Sequence, residues 1–243
     1  MKHDSIKEGK NGIAISIGGT SVFINIIRSS RKTLHMRMDE HGNFTLKVPV
    51  YSSMDVIHSF LKKNEKWILA SNERHRKYVE SRDGINFNNG EMHLLFGRYC
   101  PLRIVDSVKC LEFDGGFLLR KDCVSVGRSV FMDFYTETLK RYVEERIRYL
   151  TGITGLRFSS LRIGKALGRW GSCTYENKLT FSWLLAMAPP ESIDYVIIHE
   201  LVHTEIKSHG SQFWQEVEKY VPDWRLRREW LRNNYDTMRA VSP

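Results

Sequence analysis

His199-Glu200-Leu201-Val202-His203, followed by Thr204-Glu-Ile-Lys-Ser208 and His209, is the stretch on which the reading of this 243-residue chain turns. It lies where a helix is expected on other grounds. Pro189-Pro190-Glu191 starts one well: proline is pre-set for the first helical position, and an acid suits the positive end of the helix dipole. Ile193, Val196, Ile197 and Leu201 supply an apolar side. Helix residues four apart are neighbours, about 5–6 Å between Cβ atoms. Two imidazoles so spaced reach one metal ion at roughly 2.0–2.1 Å. Glu200 sits about 100° round the helix from His199. It cannot easily join the same ligand set, but it can reach a water held there, where a glutamate acts as general base.

Chance produces an H-E-x-x-H in a chain of this composition about 0.02 times. A histidine six residues further on lowers the figure below roughly 0.001. A catalytic zinc wants three protein ligands and one open position, and His199, His203 and His209 supply that count. The bland alternative, a histidine pair satisfied in the core or facing solvent, needs the triple spacing to be coincidence. A purely structural zinc lacks a fourth ligand spaced nearby. Metzincins share the spacing to the third histidine but have Gly three residues after the second; here that residue is Ile206. No sharp turn is required, so the helix is expected to run to about Lys207. His209-Gly210 then turns, and Ser211 caps a helix carrying Phe213, Trp214, Val217 and Tyr220.

Working outward, Lys178–Leu184 reads as a strand approached by Trp170–Tyr175 and preceded by a bent strand over Leu156–Leu167. Phe131–Leu150 reads as a long amphipathic helix, with Phe134, Tyr135, Leu139, Tyr142, Val143 and Ile147 on one side. Before it the pattern is strand-like. Ile13–Ile17 and Val22–Ile27 flank Gly18-Gly19, a hairpin signal. Thr33–Met38 and Phe44–Val48 flank a turn and end at Pro49. One helix follows, capped by Ser53, with Val56, Ile57, Phe60, Leu61, Asn64, Trp67 and Ile68 at helical spacing. Met92–Phe96, Leu102–Val105, Lys109–Phe113 and Phe117–Leu119 are short strands. The expected fold class is α+β: a β-rich N-terminal domain with one amphipathic helix over 1–130, then an α+β domain over 131–243 built around the H-E-x-x-H helix.

Composition bounds the rest. With 42% hydrophobic, 12% aromatic and 27% charged residues the chain is an ordinary globular one. Its longest apolar run is six residues, Trp183 to Ala188. A bilayer span needs about 20, so no membrane is expected. The first residues carry no apolar region long enough for a secretory signal, and the cytoplasm is the simplest address. Cys100, Cys110, Cys123 and Cys173 form no C-x-x-C pair, and reduced thiols are the expectation. The formal charge is +9, and residues 1–80 hold 14 basic against 8 acidic side chains. Such a surface attracts nucleic acid or acidic protein non-specifically, although a solubilising charge accounts for it as well.

Taken together, His199-Glu-Leu-Val-His203, His209 and Phe213-Trp214 resemble the YgjP-like metallopeptidases. The resemblance extends through Arg169-Trp-Gly-Ser-Cys173 and Pro189-Pro-Glu-Ser-Ile-Asp-Tyr-Val196. It also takes in Arg28-Ser-Ser-Arg-Lys32, Lys66-Trp67-Ile68 and Asn89-Gly-Glu91 to Tyr99, and so covers nearly the whole chain. Phe181-Ser182 departs from the polar Asn that often precedes the Trp in the family. The resemblance implies a zincin-like catalytic domain with three His ligands, a bound Zn2+, a Glu base and a peptide or protein substrate, related to SprT-like and WLM peptidases.

Other residues were weighed on their chemistry. Ser172 lacks a G-x-S-x-G elbow and is no nucleophile; Cys173 is better read as a buried thiol. Gly164-Lys-Ala-Leu-Gly168 lacks the ending of a phosphate loop. Lys178–Leu184 is the candidate edge strand for pairing with an extended substrate. Tyr175, Arg169 and Tyr195 are candidates for stabilising an oxyanion. The basic, Trp-containing stretch around Trp224, Arg225, Arg227, Arg228, Trp230 and Arg232 reads as an amphipathic capping helix. The leading expectation is a zinc-dependent peptidase. Its alternatives are a nucleic-acid-associated SprT-like protease acting on DNA-bound protein and a non-catalytic zinc-held scaffold. Oligomeric state is not legible.

Overall fold

Alternation of apolar and polar residues shapes the N-terminal strands of the computed structural model, which describes residues 6–241 except positions 10, 11, 18, 40, 84 and 108. Gly18 of the expected first hairpin therefore lies outside the described residues. The chain divides into two compact units, Met1–Glu80 and Ser81–Pro243.

In the first unit, β1 (Ile6–Gly9), β2 (Gly12–Ile17), β3 (Thr20–Ser29), β4 (His35–Met38) and β5 (Phe44–Pro49) form one sheet in the order β1-β2-β3-β5-β4. The pairs β1–β2, β2–β3 and β4–β5 are antiparallel, whereas β3 and β5 run parallel. Every second residue of β5 (Phe44, Leu46, Val48) is buried, as period-two patterning requires. These side chains and Ile13, Ile15, Val22 and Ile24 cover Ile57, Leu61 and Ile68. The single helix expected here is two: α1 (Met54–Lys63), capped by Ser53, and α2 (Glu65–Asp83). Asn64 breaks the run. Its backbone leaves the helical region (φ −102°, ψ 10°), and its side-chain amide donates to the Phe60 carbonyl at 2.8 Å, an alternative partner to the helix ladder.

The second unit starts with β6 (Met92–Leu95), β7 (Arg98–Val105), β8 (Leu111–Phe113) and β9 (Phe117–Arg120), in the order β6-β7-β9-β8. The long helix α3 (Gly127–Thr154) follows. Its buried residues Phe131, Tyr135, Leu139, Val143 and Ile147 recur every four positions and make one apolar stripe. The stripe covers the sheet. Phe117 stands 4.9 Å from Phe131 between ring centres, and Tyr135 donates to the buried Leu94 carbonyl at 2.7 Å. The seam expected at 130 therefore falls inside one hydrophobic core, and the observed division comes fifty residues earlier. Local periodicity marks where strands give way to helix, but strands and helix here bury each other.

Next come β10 (Ser160–Gly164), β11 (Gly171–Cys173), β12 (Lys178–Ser182), α4 (Pro190–Val202), α5 (Ser211–Tyr220) and α6 (Trp224–Arg239). The sheet order is β10-β12-β11, with β10 parallel and β11 antiparallel to β12. The strand at Lys178–Leu184 is thus central, with ladders on both sides, and cannot accept a further strand. A 3-10 turn over Trp183–Met187 leads into α4. The β6–β7 turn is pinned to it, with Phe96 donating to Ala186 and Gly97 to Met187 at 2.8 and 2.9 Å. Gly97 has φ +78°, and a Cβ there would meet Pro189 at 2.7 Å, so glycine is required at this junction. Arg146 of α3 binds Asp194 of α4 through two nitrogens, at 3.1 and 2.5 Å, which holds the two helices in register.

The cysteines also differ from expectation. Cys110 and Cys123 are disulfide-bonded, with Cα atoms 5.7 Å apart, because β9 runs back antiparallel along β8 and returns the chain to where β8 began. Cys100 and Cys173 are free. Among the described residues no helix is long and apolar enough to cross a membrane.

Candidate metal centre

Helix α4 is buried nearly all round, and Ile193, Ile197, Leu201 and Val202 fix its rotation. That rotation directs His199 and His203 to one side, where ring centres stand 4.9 Å apart. Contrary to expectation the helix ends at Val202. Thr204 replaces the missing glycine: its hydroxyl donates to the Leu201 carbonyl at 2.7 Å while Glu205 and Ile206 donate back to Val202. The chain turns over 203–205 and returns His209 to the pair. Gly210, not Ser211, is the residue preceding α5.

His209 Nε2 lies 3.1 Å from His199 Nε2 and 3.1 Å from His203 Nε2. The donor set fits a metal ion. Nitrogens sharing a tetrahedral ion at about 2.0–2.1 Å stand about 3.3 Å apart. His203 Nδ1–H donates to the Ile206 carbonyl at 3.0 Å, so its Nε2 carries a lone pair. One N–H on His209 can satisfy only one of its two neighbours; a cation satisfies all three. Burial, then the neighbouring rings His203 and His209, lower the His199 pKa to about 3, and burial lowers that of His203. Neutral imidazoles are the form that ligates. Phe213 forms the floor, its ring 4.8, 4.4 and 4.8 Å from those of His199, His203 and His209. His209 itself is exposed and leaves the cluster open on that side.

Glu200 is 4% exposed and lies under β11. Burial pushes its carboxyl pKa up to about 8, and Arg169 opposes the rise. Gly171 makes the fit: a Cβ there would meet Glu200 Oε1 at 2.5 Å. Helix α4 and strand β11 can approach this closely because nothing projects from Gly171. Of the candidate oxyanion partners, Tyr195 packs edge-on against His199 at 5.9 Å, and burial pushes its hydroxyl pKa up to about 12. Arg169 acts on Glu200 through its charge. Tyr175 is 88% exposed at the β11–β12 turn, with Lys207 Nζ 5.7 Å from its ring, and stands at the rim. Cys173 is half-buried, with Sγ 3.9 Å from Lys207 Nζ, not the fully buried thiol expected.

Sequence reasoning missed three contributors. Lys207 donates to the Asn177 side chain at 2.6 Å and the Thr174 carbonyl at 3.2 Å, closing the β11–β12 turn over the site. Trp214 stands 5.7 Å from both His199 and His209 and stacks on Trp224 at 4.1 Å. Arg228 lies over the Trp214 ring at 5.5 Å. Trp214 belongs to a motif of the family resemblance, but no sequence signal places these three side chains around the histidines, because their juxtaposition spans three elements.

Residues 32–234 match the family model described as YgjP-like, metallopeptidase domain. No curated protein and no solved structure matches the chain significantly.

Proposed function

This chain belongs to the YgjP-like metallopeptidase family, and from that membership we propose that it is a zinc-dependent peptidase with His199, His203 and His209 as metal ligands and Glu200 as general base. The observation that carries this reading is the convergence of the His199 and His203 Nε2 atoms on that of His209, each at 3.1 Å, beside one buried carboxyl group. A bound zinc supplies Lewis acidity and brings the pKa of a water to about 7.

The chain's own residues then do the following. Glu200 takes a proton from the attacking water on a carboxylate oxygen and delivers it to the leaving amine. The Ile206 carbonyl fixes the His203 tautomer, and Phe213 keeps water from beneath the rings. An extended substrate pairs with β11, which has β12 on one side only and lies directly over Glu200. This role passes from the central strand β12 to its neighbour. Tyr195, beside His199, is the best placed of the oxyanion candidates.

Metal analysis of the protein and of its Glu200→Gln variant, together with turnover of a general protein substrate, tests the reading. Glutamine keeps the side chain's size and removes its basicity. One equivalent of zinc in both proteins, with turnover lower by about 10²–10⁴ in the variant, is the expected result. Full activity in Glu200→Gln overturns it.

A further inference from the structure

Three cations lie close enough to the His–Glu cluster for their charges to act on it. Arg169 acts on Glu200, Lys207 on His203 and Arg228 on His199 and Tyr195. Among the described residues, Glu200 is the one acidic side chain whose charge acts on these groups. Arg228 stands out on its own helix. Arg225 pairs with Glu218 at 2.9 Å, Arg227 with Asp223 at 2.5 Å and Arg232 with Glu229 at 3.2 Å. Among the described residues Arg228 has no carboxylate partner; its guanidinium is held only over Trp214. Trp214 in turn lies against His199 and His209 and is braced by the Trp224 stack. A planar donor fork with unused N–H groups, kept in place by a ring, is built to accept a carboxylate. Arg169 is likewise without an ion pair among the described residues and stands two residues before the start of β11.

We propose that Arg228 is a specificity-determining residue, which binds a carboxylate of the substrate beside the bond to be cut, so that the site selects acidic peptides. This rests on the peptidase reading above. The carboxylate has two sources, an Asp or Glu side chain or the free C-terminus of the peptide. Arg169 and Lys207 add to the field that draws such a substrate in, a contribution that salt weakens.

The test reads binding, so that it does not depend on turnover. The full chain carrying Glu200→Gln is titrated into fluorescent alanine-based peptides at low salt, with anisotropy as the signal. One peptide has a central Glu and an amidated end, one a central Lys and an amidated end, one neither charge but a free C-terminus, and one neither feature. The Glu or the free-C-terminus peptide binds most tightly, which identifies the source, and the Lys peptide least. Adding Arg228→Gln weakens the preferred peptide about tenfold, the scale of a charge-assisted hydrogen bond. Arg228→Lys retains much of the preference. Arg232→Gln, the same charge change on the same helix, leaves it intact. The proposal is overturned by no binding of any peptide, by a preference for Lys, by a preference indifferent to Arg228→Gln, or by Arg228-dependent capture of a single-stranded oligonucleotide in place of acidic peptide. Absence of turnover in the wild-type protein, with acidic preference intact, would count against the peptidase reading alone.

Discussion

Glu200 rests against the bare backbone of Gly171, so closely that a single methyl group on that glycine would overlap its carboxylate. The general-base candidate is therefore positioned by a residue without a side chain. Gly171→Ala should displace Glu200 without touching any imidazole. Turnover is expected to fall about 10–100-fold, since misplacement by about 1 Å can cost 10², with zinc content unchanged. Normal turnover in this variant would show that the carboxylate is not held where catalysis needs it.

His203→Ala should behave in the opposite way to Glu200→Gln. It removes one of three nitrogens and the hydrogen bond to the Ile206 carbonyl. Two imidazoles hold zinc poorly, so metal and activity are lost together. Retention of one tightly bound zinc after this substitution would contradict the ligand set. Chelation of the native protein should likewise abolish turnover, and added zinc should restore it.

A pH effect on stability arises away from the site. His93 is buried among aromatic rings, 4.5 Å from Phe131 and stacked on Phe87 at 5.6 Å. Burial lowers its pKa below the usual 6.5, although Glu91 opposes this. The folded state thus favours the neutral ring, and the unfolded chain takes up the proton first. Stability from this group is complete above about pH 6.5 and is lost as pH falls through the lower folded value. Melting temperatures of wild type and His93→Leu between pH 7.5 and 5 should diverge in slope, the wild type falling more steeply. Parallel curves would refute the assignment.

The two hydrophobic cores predict which fragments fold. A chain of residues 81–243 keeps β6–β9 over α3 and should fold and retain the metal. A chain of residues 131–243 loses Leu102, Phe117 and Leu119, all fully buried, and exposes Phe131 and Tyr135. Each such side chain is worth about 1.5–3 kcal/mol, so this fragment should show no cooperative melting transition. A cooperative transition in the shorter fragment would restore the boundary at 130.

Helical spacing is local, and for that reason the pair His199 and His203, the neighbouring Glu200 and the apolar side of α4 could all be read from the chain. Alternation likewise located most strands, and the family resemblance rested on short motifs, each read within its own few residues. Strand pairing is not local. Lys178–Leu184 has the pattern of a strand whether it lies at an edge or between neighbours, and only β10 and β11 on either side make it central. The seam at 130 was misplaced for the same reason: periodicity records what a segment is, not what buries it. The short turn after Val202 depends on one hydroxyl bond from Thr204, which no glycine announces. Gly171 under Glu200, Phe213 beneath the three rings and Arg228 over Trp214 are meetings of residues up to 29 positions apart along the chain. The residue types and spacings determined which chemistry this protein could carry. Packing of α4 against β11, α5 and α6 decided which side chains share the site, because burial of distant apolar surfaces, not sequence proximity, sets those contacts.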